Sequence, residues 1–293
     1  MSANRGGVRG ALARWRGRDI ELKTPGELDA MRAAGALVAR TLAAVTGLAA
    51  PGVTTADLDA LAEQTIRDAG AMPSFLGYHG YPASICASVN EQIVHGIPSA
   101  AVVLADGDLV SVDCGAVLDG WHGDSAVTIP VGTVSDADLA LSAACRQALE
   151  AGLAAARPGG RLSDISHAVQ VACESAAEAD GVAYGIVAEY GGHGIGTSMH
   201  MDPQVPNYRV SGKGPRVVDG TTICIEPMVV LGDQDNTVLD DEWTVVTRDG
   251  SRAAHWEHSV AATSQGLCVL TAVDGGAARL ARLAVAHHAV QPS

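Results

Sequence analysis

No apolar run approaches the roughly 20 residues that a membrane span needs. The Ala-rich stretch Ala33–Ala50 comes nearest and is broken by Arg40, Thr41 and Thr46. A signal-peptide core is missing as well, because the first 18 residues carry Arg5, Arg9, Arg14, Arg16 and Arg18 and no acid. Elsewhere basic charge is scarce. Lys and Arg number 19 against 33 Asp and Glu, a net charge of −14, which excludes general binding to DNA or other nucleic acid across the body. Six cysteines at 86, 114, 145, 173, 224 and 268 form no CxxC pair, so buried free thiols in a reducing cytoplasm are expected. There is no GxGxxG at a strand-to-helix turn, no Walker A loop, no GxSxG elbow and no HExxH. Dinucleotide, P-loop, serine-hydrolase and zincin chemistry are thereby set aside.

What is present reads as one α/β domain over residues 19–293 behind a flexible Arg-rich tail, residues 1–18. Gly6, Gly7 and Gly10 argue against an amphipathic transit helix in that tail; a ribosome or other RNA contact is its sharper reading. Thr24-Pro25-Gly26-Glu27 is a helix start, with Thr as N-cap and Glu three residues on. Pro51-Gly52 breaks that helix, and Thr54 or Thr55 caps a second one ending near Gly70. Strands are expected at Ser84–Val89 and Leu109–Val131. Ser135 then opens another long helix, Pro158-Gly159 breaks it, and Ser163 is the expected cap of the next. A shift of 107 residues superposes Leu42 on Leu149, Pro51 on Pro158, Gly52 on Gly159, Asp57 on Asp164 and Leu58 on Ile165. This points to two duplicated halves. Later strands are expected at Gly181–Val187, Thr221–Val230, Trp243–Thr247, His255–Thr263 and Leu267–Thr271, and a last helix from Ala277.

Acids interrupt several of these apolar strands. Asp113 and Asp124 lie in VDCGAVLDGWHGD, and a four-residue turn over Val117–Gly120 would set them directly across from each other on one sheet face. Glu226 follows Thr222–Ile225, and Glu257 follows His255-Trp256. His193 sits in Tyr190-Gly-Gly-His-Gly-Ile-Gly196, where the glycines suggest a tight backbone turn. Buried carboxylates need partners. Four of them with one imidazole suit hard or borderline divalent ions, and the charge balances two.

Taken together these pieces resemble the type I methionine aminopeptidases, metallopeptidases of the pita-bread fold. Besides the acids and His193, the resemblance rests on Ser88–Pro98, Gly192–Gly196 with His200, Ile225–Met228 and Glu257-His258. It implies a curved central antiparallel sheet with pseudo-twofold helix pairs on its outer face. It implies a metal-bridging water that removes N-terminal methionine ahead of a small second residue. Asp113 would chelate one ion, Asp124 and Glu257 would bridge, and His193 and Glu226 would complete the other. Glu226 would also shuttle a proton, and His95 and His200 would contact the scissile amide. The ions could be Co, Mn, Fe, Zn or Ni. Phe75, Tyr78 and Tyr81 would line the methionine pocket with Cys86, His95, Met199, His200 and Trp243. His122 is kept as a neighbour of Asp124. His79, His167, His255, His258, His287 and His288 are expected to be surface or structural. Implied partners are the N-termini of nascent chains, with a monomer as the working form. Xaa-Pro peptidases of the same fold carry an extra N-terminal domain, for which residues ahead of Asp113 leave too little room. A non-catalytic relative should have lost ligands that are present here.

Overall fold

The computed structural model describes residues 20–289, with side chains in the final helix up to residue 283. The Arg-rich segment 1–18 lies outside the described residues. The first half runs α1 (Pro25–Leu48), α2 (Thr55–Asp68), β1 (Met72–Pro73), β2 (Ile85–Val89), β3 (Gln92–Val94), β4 (Leu109–Leu118) and β5 (Trp121–Pro130). The second runs α3 (Asp136–Ala155), α4 (Leu162–Asp180), β6 (Gly185–Ile186), β7 (Gly192–Gly194), β8 (Met201–Val205), β9 (Thr222–Ile225) and β10 (Met228–Val230). It continues through β11 (Asn236–Val238), β12 (Val245–Thr247), β13 (Ala253–His255), β14 (His258–Thr263), β15 (Gly266–Val269) and α5 (Ala277–Ala289).

Helix starts follow the capping chemistry of the sequence. The Thr24 hydroxyl accepts from Glu27 N–H, and Glu27 in turn accepts from Thr24 N–H at 2.7 Å. Such a cap contributes about 1 kcal/mol. Thr54 and Asp57 repeat the arrangement on α2. On α4 the N-cap is Arg161 rather than Ser163: Asp164 accepts from Arg161 N–H at 2.9 Å, while the Ser163 hydroxyl donates to the Lys213 carbonyl. That correction brings the halves closer, since Asp57 and Asp164 now do the same work. Gly52 and Gly159 both take left-handed φ, 92° and 87°. Leu58 and Ile165 are both fully buried, and truncating either to Ala should cost about 2–5 kcal/mol.

All strand pairings are antiparallel. β4 pairs with β1, β2 and β5, and the second half forms a five-stranded run β15-β14-β9-β7-β8. α1 and α2 bury Leu37, Val38, Leu42, Leu58 and Ile66 against the first sheet. α3 and α4 bury Leu149, Leu153, Ile165 and Val169 against Ile223, Ile225 and Val260 of the second. The result is curved antiparallel sheet with a helix pair over each half.

Four strand expectations change. The β4–β5 hairpin turns on Asp119-Gly120 alone, with φ of 51° and 84° and Leu118 paired to Trp121, the geometry that Asp-Gly favours. Asp113 therefore pairs with Ala126 and Asp124 with Gly115. The two acids are diagonal neighbours instead of directly opposed. An offset of two residues still leaves them on one face. Thr221–Val230 and His255–Thr263 are each interrupted, at Glu226-Pro227 and at Trp256-Glu257. Pro227 has no N–H to offer a ladder, and Glu257 N–H leaves its own sheet to donate to the Ala126 carbonyl. Gly181–Val187 keeps only two strand residues, because Gly181 terminates α4 in the left-handed region.

Candidate metal centre and active site

The two interruptions and the β4–β5 hairpin meet at one cavity of about 690 Å³. Asp113 and Asp124 enter from the hairpin, His193 from β7, and Glu226 and Glu257 from the kinks. Ligand atoms of Asp124, His193, Glu257 and Cys224 all lie within 4.8 Å of one another, so the group could hold a metal ion. Asp113 Oδ1, Asp124 Oδ1 and Glu257 Oε1 are buried without a hydrogen-bond partner.

Electrostatics sharpen the point. Burial, ahead of every other cause, raises the pKa of all four carboxyls. Asp113 is pushed up to about 7, eased by its hydrogen bond with Asp124, and Glu226 to about 8, with the Asp113 charge adding to burial. Asp124 and Glu257 are raised well above the carboxylate range, Asp124 further by the charges of Asp113 and Glu226. Burial lowers His193 to about 3, with His200 contributing, so its ring is neutral at pH 7. Its Nδ1 lies 2.8 Å from the Gly194 carbonyl and carries the proton there. Nε2 thus presents a lone pair to Glu226 Oε1 at 3.4 Å. A cation held by both groups would satisfy the imidazole lone pair and the carboxylate alike.

The glycines around His193 serve close approach, not a turn. None of Gly192, Gly194 and Gly196 has left-handed φ. A Cβ on Gly192 would stand 2.2 Å from the Cys224 carbonyl oxygen, and one on Gly194 would stand 2.2 Å from that of Asp202. β7 is squeezed between β8 and β9, which fixes His193 beside the second-half carboxylates.

Phe75, Tyr81, Cys86 and Met199 form a buried apolar cluster against which Tyr78 and Trp243 pack. This wall continues into the carboxylate end of the same cavity. Both other candidate histidines reach that cavity. The Tyr78 hydroxyl lies 2.9 Å from His200 Nδ1, and the His200 ring lies 4.2 Å from that of His193, tilted by 53°. His95 holds a left-handed φ of 60° just beyond β3, a cost expected only where surroundings impose it. Its ring meets Tyr190 edge-on at 5.5 Å. Every expected site residue therefore lines the one cavity. His122 stays behind it, bonded to the Ser74 hydroxyl at 3.0 Å. His258 is structural, held by Thr271 and Arg279.

Cys224, Tyr190 and His255 are the residues that sequence reasoning missed. His255, expected to be surface or structural, instead lines the cavity with Nε2 3.8 Å from Glu226 Oε2. Cys224 and His255 each stand two positions before a candidate carboxylate, and strand alternation could have flagged both.

Residues 29–264 match the model of metallopeptidase family M24, and the fold and site define the chain as a metallopeptidase of that family. It is 59% identical over 261 residues to methionine aminopeptidase 1 of Mycobacterium tuberculosis, covering 89% of this chain and 98% of that one. It is 49% identical over 254 residues to methionine aminopeptidase 1 of Bacillus subtilis, covering 87% and 100%. The crystal structure of methionine aminopeptidase from Thermotoga maritima superposes with a TM-score of 0.82 at 42% identity, covering 86% of this chain and 99% of that one. The chain belongs to the type I methionine aminopeptidases of family M24.

Proposed function

We propose that this chain carries out metal-dependent hydrolysis of N-terminal methionine with two divalent ions, drawn from Co, Mn, Fe, Zn or Ni, on nascent polypeptides whose second residue is small. The observation that carries it is the acceptor set itself. Asp113, Asp124 and Glu257 each have a buried oxygen without a partner, and His193 Nε2 faces Glu226 with a lone pair. Asp113 and Asp124 would hold one ion and His193 and Glu226 the other, with Asp124 and Glu257 shared. Divalent ions so placed supply an acidified water and polarise a carbonyl oxygen.

The chain's own groups do the rest. Glu226, placed at the cation site, is a carboxylate suited to accept and return a proton. A Tyr78 hydroxyl that donates to His200 Nδ1, 2.9 Å away, would leave the single proton of neutral His200 on Nε2. His200 Nε2 and His95 then serve as donors to the oxygen that gains charge in the transition state. Phe75, Tyr81, Cys86, Met199 and Trp243 hold the methionine side chain; Met199 keeps that wall apolar and adaptable. His95 and Tyr190 line the same cavity in edge-on contact, and a small second residue is the proposed substrate feature.

Among the described residues no helix is long and apolar enough to cross a membrane, and all six cysteines are free. A cytoplasmic monomer is the proposed working form. The Arg-rich tail is proposed as an accessory that contacts the ribosome and takes no part in the chemistry.

Metal-reconstituted protein offered Met-Ala-Ser, Leu-Ala-Ser and Ala-Pro peptides tests the reading. Met-Ala-Ser should be cleaved well ahead of the others, and titration should end at two ions per chain. Cleavage of the Xaa-Pro peptide alone would overturn the substrate assignment, and saturation at one ion the two-ion arrangement.

A further inference from the structure

His255 is held by its backbone in a way that leaves the ring a separate task. It ends β13, where it pairs with Met228 of β10. Its N–H donates to the hydroxyls of Thr128 at 2.9 Å and Ser111 at 3.2 Å. Its carbonyl accepts from the Thr128 hydroxyl at 2.8 Å. The ring is 2% exposed, yet Nε2 has no hydrogen-bond partner. Leaving a buried polar atom unpaired costs about 1–3 kcal/mol, so a role in packing alone leaves the imidazole unexplained.

The polar atom facing Nε2 is Glu226 Oε2 at 3.8 Å. The other oxygen of the same carboxylate faces His193 Nε2 at 3.4 Å. Glu226 is therefore straddled by two imidazoles of different character. His193 spends its proton on the Gly194 carbonyl and offers a lone pair. His255 has a partner for a proton on the side that faces Glu226.

We propose that His255 is a positioning residue for the hydrolysis, carrying its proton on Nε2 and donating it to Glu226 Oε2. The contact tightens from 3.8 Å to hydrogen-bond length when the carboxylate takes its working orientation. Such bonds are commonly long before substrate and cofactor are in place. The bond fixes which oxygen of Glu226 is free for ligation and proton transfer and which is held. Its force is orientational: a carboxylate pivoting about its last bond would lose the alignment on which rate depends. This inference rests on the reading of Glu226 as the proton-handling carboxylate.

The substitutions His255→Gln and His255→Leu separate a donor from a filler. Gln keeps an N–H of similar reach, and Leu keeps bulk without a donor. Under saturating metal with Met-Ala-Ser, His255→Leu should lower kcat roughly 10–100-fold with KM little changed. His255→Gln should restore most of kcat. Wild-type kcat in His255→Leu, or equal losses in both variants, would overturn the proposal. Should His255→Leu not fold, nitrogen-15 NMR of the histidine-labelled, zinc-loaded wild-type protein decides independently. The signal lost in His255→Gln should report a proton on Nε2, and a proton on Nδ1 would refute the donor role. Failure of the wild-type protein to cleave Met-Ala-Ser would strike the parent reading instead, so the two failures are distinguishable.

Discussion

Replacing Gly192 with Ala adds one methyl group at a crowded point of the site. Its Cβ would lie 2.2 Å from the Cys224 carbonyl oxygen and 3.0 Å from Val205 Cβ. Neither neighbour is a flexible tip: one is β9 backbone and the other a β-branched side chain of β8. To regain even 3.0 Å, β7 and β9 must part by about 0.8 Å, and interiors are too densely packed to absorb that locally. Overpacking of this kind costs about 1–3 kcal/mol, or a few degrees of melting temperature. The larger effect falls on function. His193 is the next residue and Glu226 stands two residues past Cys224, so the parting separates the pair now 3.4 Å apart. A misplacement near 1 Å costs about 100-fold in rate. The control is Gly47→Ala on α1, where an added Cβ meets nothing within 4 Å. That variant should keep most of its activity. Metal titration, melting curves and kcat/KM on Met-Ala-Ser should be measured on both. Gly192→Ala with wild-type metal affinity and turnover would refute the argument that close strand approach places His193.

Asp113→Asn should weaken metal binding and lower activity by more than about 100-fold, since it removes a charge and an acceptor from the cation site. Full activity at trace metal would refute the assignment. Melting temperature against pH should separate the metal-free from the loaded protein. Metal-free, Asp113 and Glu226 are raised to about 7 and about 8, above their unfolded values of 3.8 and 4.5. The folded state then holds more protons than the unfolded state, so stability falls as pH rises. Buried histidines such as His193 and His95, lowered to about 3 and about 4, act oppositely below their unfolded value of 6.5. The fall should therefore emerge between pH 6.5 and about 8, near 1.4 kcal/mol per pH unit for each retained proton. Bound metal should flatten it, and a metal-free protein that gains stability across this window would contradict the carboxyl assignment.

How much of this was legible depends on what kind of physics sets each feature. Caps are local, so Thr24 and Ser135 are legible from neighbours three residues away, and the second cap narrows to Thr54 or Thr55, of which Thr54 is the one used. Ser163 misled because Arg161 already has its N–H satisfied by Asp164, leaving the hydroxyl free for Lys213. The duplication was visible because each half repeats the same break, Pro51-Gly52 and Pro158-Gly159. Hairpin register was missed by two residues, although Asp119-Gly120 names its own turn type. Long-range approach was not legible at all. That Gly192 lies against β9, or that His255 faces Glu226 across a kink, depends on pairings between segments that sequence periodicity cannot order.

The seam between the halves explains why the site tolerates such poor electrostatics. The first half contributes Asp113 and Asp124 on a rigid hairpin pinned under α1, where Gly123 meets Gly35 so closely that a Cβ would lie 2.8 Å from the helix backbone. The second half contributes His193, Glu226 and Glu257 from a squeezed strand and two kinks. Neither half alone gathers the full acceptor set of the cation site, and together they gather enough acids to repel one another without a cation. Each half is locked by its own core, Leu58 with Val110 and Val112 on one side and Ile165 with Ile223 and Ile225 on the other. The acids therefore cannot relax apart. Protons relieve the repulsion in the metal-free protein, and cations displace those protons, so metal affinity must rise with pH. The strain that the fold imposes on its carboxyls is the same property that prepares them as ligands.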